Sequence, residues 1–103
     1  MNSKMLRLKE VDCIEVLTLI DNYTDVLLEN TEIATRLPEP KGEEIPTDTL
    51  LAEHGLSLLV TVHRGEEKHT LLFDTGHTRI GVLHNMEKLE IDPNEVEIGR
   101  AHV

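Results

Sequence analysis

Thr70-Leu71-Leu72-Phe73-Asp74-Thr75-Gly76 is an apolar run of strand-forming residues that ends on an acid, a hydroxyl and a glycine. Such a run reads as a buried strand that carries Asp74 to its C-terminal mouth, after which Thr75 and Gly76 turn the chain away. A carboxylate in that position costs several kcal/mol unless it is hydrogen-bonded or faces a cation, so Asp74 needs a partner that this stretch does not supply.

The residues on either side extend the pattern. Upstream, Leu56, Leu58, Val60 and Val62 alternate with Ser57, Leu59, Thr61 and His63, which predicts a hairpin. Its turn is read as Arg64-Gly65-Glu66-Glu67-Lys68 and its return strand as His69 to Asp74. Antiparallel pairing then brings His54-Gly55, just before the first strand, to the same end of the sheet as Asp74. Downstream, Val82, Leu83, Met86 and Leu89 recur at helical spacing while Arg79, Glu87, Lys88 and Glu90 can face water. That spacing predicts an amphipathic helix over roughly 78–89, with Met86 in the core and Asp92-Pro93-Asn94 as the stop. Glu95-Val96 opens a further connection or strand that has hardly begun.

Toward the N-terminus, residues 1–12 form a short polar lead. Between Cys13 and Ile20 both alternating faces are largely apolar, so an interior strand is expected there, with Cys13 as a small buried residue. The strand ends on Asp21-Asn22-Tyr23, either a simple turn or the rim of a pocket. One short helical turn is expected within 24–30. The polar, acidic stretch 31–49 carries Pro38, Pro40 and Pro46, which prevent regular structure, and is either a cover over a site or an insertion.

Composition sets limits on function. The chain has 103 residues, room for one small domain, and a single Phe, a single Tyr and no Trp leave it an aliphatic core. Twenty acids against ten bases give a net charge of −10, which opposes a nucleic-acid backbone. Cys13 is the single cysteine, so no internal disulfide forms, and no segment is long and apolar enough to be a signal peptide or a membrane span. A cytoplasmic protein with no membrane partner is the expectation. The six histidines, at 54, 63, 69, 77, 84 and 102, include no pair spaced to present one metal ion from a single strand or helix.

Three sets of residues together resemble a known family. Gly55 to Val60 paired with Thr70 to Gly76, followed by a helix with Leu83-His84-Asn85 and then Leu89 to Pro93, is similar to the first half of a metallo-β-lactamase-fold hydrolase. Thr18 to Tyr23 and Glu53-His54-Gly55 resemble the branch of dihydropterin ribofuranosyl-aminobenzene phosphate synthase-like proteins. The resemblance covers about 13–96. It implies an α/β fold, namely the N-terminal part of a four-layer αββα arrangement (strand, long loop, β-hairpin, helix), truncated. It also implies a parent enzyme in which one or two divalent ions, zinc, iron or manganese, generate hydroxide that attacks an ester, lactam or phosphate-type small-molecule substrate.

Within that resemblance Asp74, Thr75 and Gly76 support the metal-binding loop, and Asn22, Tyr23 and His54 line the substrate side. The family's His-x-His-x-Asp-His motif is missing, since the chain reads Glu97-Ile98-Gly99-Arg100-Ala101-His102-Val103 instead. Residues 97–103 look like a translated sequencing adapter, a non-native tail in which His102 has no meaning. The fragment is therefore expected to be inactive and to bind no metal. Exposed edges are expected to favour self-association. Two other readings stand beside this one. Phe73-Asp74-Thr75-Gly76 is also similar to the signature around the catalytic acid of retropepsin-like aspartic proteases, although the acid comes late in the chain and no glycine-rich flap follows. The chain is otherwise a non-catalytic acidic interaction module in which Asp74 caps a turn.

Overall fold

A computed structural model of the chain describes residues 8–37 and 48–97. Residues 1–7, Pro38, Pro40, Pro46 and the tail 98–103 with His102 lie outside the described residues. The described chain is a small α/β unit: strands β1 (Cys13–Ile20), β2 (Ser57–Arg64) and β3 (Glu67–Asp74), helix α1 (Arg79–Lys88) and a 3-10 turn, Pro93–Glu95. The sheet is antiparallel throughout in the order β1-β2-β3.

The hairpin turn is tighter than the sequence suggests. Arg64 pairs directly with Glu67, leaving Gly65-Glu66 as a two-residue turn rather than five. Gly65 has φ +57 and so supplies the positive dihedral that tight hairpin turns demand. The Gly65 amide donates to Asp12 Oδ2 at 2.7 Å, which fastens the turn to the start of β1.

β1 is an edge strand, with β2 in the centre, and this corrects the expectation of an interior strand. Its apolar residues Ile14 and Val16 stay 57% and 58% exposed, and Cys13 is exposed as well. The reason is geometric. Ile14 and Val16 lie on the face opposite α1, and on its own face α1, at about 15 Å for ten residues against about 26 Å for an eight-residue strand, covers only the mouth half and stops short of Cys13. The core of Leu19, Ile20, Leu59, Val82 and Met86 accordingly lies at that end.

Ile20 departs from the alternation of the strand. A bulge between Thr18 and Ile20 pairs Ile20 with Ser57, so strict alternation fails and both Leu19 and Ile20 turn into the core.

Helix α1 matches the predicted span, and Met86 is 2% exposed, but Leu83 is 52% exposed rather than buried. Its buried stripe runs through Gly81, Val82, Asn85 and Met86. The helix stops before Asp92, because Glu90 takes φ +58 while the Glu90 and Ile91 amides donate to the Glu87 and Met86 carbonyls at 3.1 and 2.8 Å. This pair of bonds closes a helix end in the way a glycine usually permits. Asp92 then caps the 3-10 turn by accepting from the Asn94 amide at 2.9 Å.

Beyond that turn the chain returns to the outer edge of β3. The Glu97 amide donates to the Thr70 carbonyl at 2.9 Å, and the Thr70 amide donates to the Glu97 carboxylate at 3.0 Å. Leu72, Val82, Met86, Pro93 and Val96 line a groove of about 430 Å³ between β3 and α1, with Asp74 and Arg79 at its mouth.

The long connection from β1 to β2 is partly ordered by its own polar groups. Arg36 Nη1 bonds the carbonyls of Asp25 and Leu28, and the Arg36 amide donates to Asn30 Oδ1 at 2.7 Å. The short helical turn expected near 24–30 is one turn closed by the Leu28 amide on the Asp25 carbonyl. Closer to β2, Lys88 on α1 holds Asp48 at 2.7 Å and keeps its carboxyl below the usual carboxylate range, with His84 adding to the effect. No helix among the described residues is long and apolar enough to cross a membrane.

Candidate functional site

In an antiparallel β1-β2-β3 sheet, the end of β1, the start of β2 and the end of β3 share one edge of the sheet. Three connections therefore converge at the mouth: 21–23, 53–56 and 74–78. Backbone bonds lace them together. The Glu53 amide donates to the Asp21 carbonyl at 3.1 Å, and the His77 amide donates to the His54 carbonyl at 3.0 Å. The Gly55 amide donates to Asn22 Oδ1 at 2.8 Å. Gly55 has φ +119, and a Cβ built there would lie 2.6 Å from the Thr75 carbonyl oxygen and 2.8 Å from Gly76 Cα. Only glycine fits that approach.

Asp74 is 1% exposed at the centre of this arrangement. Its Oδ1 accepts from Ser57 Oγ at 2.5 Å and from the Gly76 amide at 2.8 Å. The partner the sequence demanded is thus a buried hydroxyl across the strand, since Ser57 is Asp74's register partner and is itself fully buried. Short bonds from a hydroxyl to a carboxylate are the strong, charge-assisted kind, and they offset the desolvation of the acid. Thr75 adds one more rung to the β2–β3 ladder. Its amide and hydroxyl donate to the Leu56 carbonyl at 2.9 and 3.0 Å, and its Oγ1 accepts from the Leu56 amide at 3.2 Å.

A second carboxylate supports the turn from behind. Glu53 Oε2 accepts from Thr78 Oγ1 at 2.7 Å, beside the first turn of α1, while Glu53 Oε1 is buried with no hydrogen-bond partner among the described residues. Gly81 leaves room for it, because a Cβ there would stand 2.5 Å from Glu53 Oε1. Deeper still, fully buried Asn85 accepts from the Leu51 amide at 2.8 Å and donates to the carbonyls of Leu19 and Leu51 at 2.6 and 2.9 Å. One side chain thereby joins β1, the entry to β2 and α1.

The structure brings Asn22, His54, Asp74, Thr75 and Gly76 together. Tyr23 stands apart: it is 68% exposed and its hydroxyl donates to Asp25 Oδ2 at 3.2 Å, which holds the phenol's pKa above its ordinary value through that bond and the neighbouring charge. Ser57, Glu53, Thr78 and Asn85 belong to the arrangement although sequence reasoning assigned them no role. For Ser57 a signal existed, because counting back from a two-residue turn at Gly65-Glu66 sets it opposite Asp74. For Glu53 and Asn85 no local pattern carries the information.

The hydrogen bonds of the arrangement hold the turn 74–76 in place. Asp74 is sealed from solvent and accepts hydrogen bonds, whereas a retropepsin-like acid would have to face its counterpart in a second copy. Among the described residues no group of three or more His, Cys, Asp or Glu side chains could hold a metal ion. His54, His69 and His77 are exposed, His63 meets Glu15, and His84 bonds the Thr49 carbonyl at 2.8 Å. No known family, curated protein or solved structure matches this chain.

Proposed function

We propose that the chain is the N-terminal part of a metal-dependent hydrolase of the metallo-β-lactamase superfamily, in which Asp74 fixes the turn 74–76 and takes no direct part in the reaction. The observation that carries this reading is the return of the chain to β3. After α1, Val96 lines the apolar groove between β3 and α1 together with Leu72, Val82 and Met86, so the chain comes back to the outer side of β3. A further strand on that side would stand beside the turn that Asp74 and Ser57 brace.

The opposite face of the sheet supports the four-layer arrangement. Ile14, Val16, Val60, Val62, Leu71 and Phe73 share it, and no element among the described residues covers it. A sheet with a helix on one side and an apolar face on the other suits packing against a second sheet.

The described residues do not fit a divalent ion, so no step of hydrolysis is assigned to them. Two measurements test the reading. The uninterrupted coding sequence past Val96 should continue into an apolar strand and His-x-His-x-Asp-His, and a stop or an unrelated sequence there would end the metallohydrolase assignment. Metal analysis of the dialysed 103-residue chain should find far less than one zinc, iron or manganese per chain; stoichiometric, tightly held metal would contradict the placement of the ligands outside it.

A further inference from the structure

We draw no further inference here: the strongest candidate, the cavity of about 670 Å³ on the α1 face of the sheet between the segment 33–37 and Leu89-Glu90-Ile91, carries nothing because its lining, with Arg36 and Lys68 set against Glu15, Glu90 and Glu95, selects no one class of ligand and nothing in the structure shows what covers it.

Discussion

Gly55 and Gly65 make a matched pair for testing whether the mouth is assembled as described. Both have positive φ, +119 and +57, but a Cβ at Gly65 meets nothing within 4 Å, whereas one at Gly55 overlaps the Thr75 carbonyl and Gly76 Cα. Gly65→Ala should therefore cost only the left-handed backbone penalty, about 1 kcal/mol. Gly55→Ala carries a backbone penalty of about 1–3 kcal/mol and an overlap with main-chain atoms of about 1–3 kcal/mol. The overlap cannot be relieved by a rotamer change. Moving the 74–76 turn away would break the Thr75–Leu56 rung. The combined loss is about 2–6 kcal/mol, a large share of the total stability of a domain this small. Urea titrations followed by circular dichroism would compare the two variants, with equal slopes confirming that the transition stays two-state. In thermal melts the difference between them should be roughly 10–25 °C, at about 4–8 °C per kcal/mol. Equal losses at the two positions would refute the close approach of 54–56 to 74–76, and with it the geometry of the candidate site.

Two further outcomes are expected. Gly81→Ala in α1 should fail to give the gain of about 1 kcal/mol that alanine normally brings to a helix, because its methyl would meet Glu53, and the gain should return in a Glu53→Ala background. A double-mutant cycle by urea denaturation measures this, and additive effects would exclude the contact. Tyr23, the single tyrosine in a chain without tryptophan, should ionise above the ordinary phenol value of about 10, and Asp25→Asn should bring it back down. A raised folded value means that its contribution to stability is present below the free phenol value and lost as pH rises through the folded one. Absorbance of the phenolate reads the titration, and an unchanged midpoint in Asp25→Asn would rule out the Tyr23–Asp25 bond.

Sequence patterns revealed the elements better than their edges. The hairpin and helix follow from period 2 giving way to period 3.6, and the position of His54-Gly55 beside Asp74 follows from antiparallel pairing alone. The burial of β1 was misjudged because apolar content on both faces states what a strand can bury, not whether anything is there to cover it. Cys13 is exposed for the same reason, since a ten-residue helix does not reach it. Ile20 departs from strict alternation at a bulge, which has no periodic signature. Reading the charged residues 64–68 as loop makes the turn too wide, although Arg64 and Glu67 still pair across the strands. That error hid Ser57, the residue that answers the question Asp74 poses.

The solution to Asp74's burial also limits what it can do. Asp74 accepts from Ser57 Oγ and the Gly76 amide at 1% exposure, so its carboxyl is held in place and kept from solvent. Such an acid gives rigidity to the three residues after the strand, and rigidity there is useful only if something else is positioned by them. Within the described chain, the turn positions Thr78 and the first turn of α1 through Glu53, and α1 in turn returns the chain to the edge of β3 at Glu97. The buried polar groups Ser57, Asp74 and Asn85 all lie on the path from that turn to the helix that covers it. Their placement ties the strand mouth to α1, which is why the proposal gives Asp74 the support of the turn and no step of the chemistry.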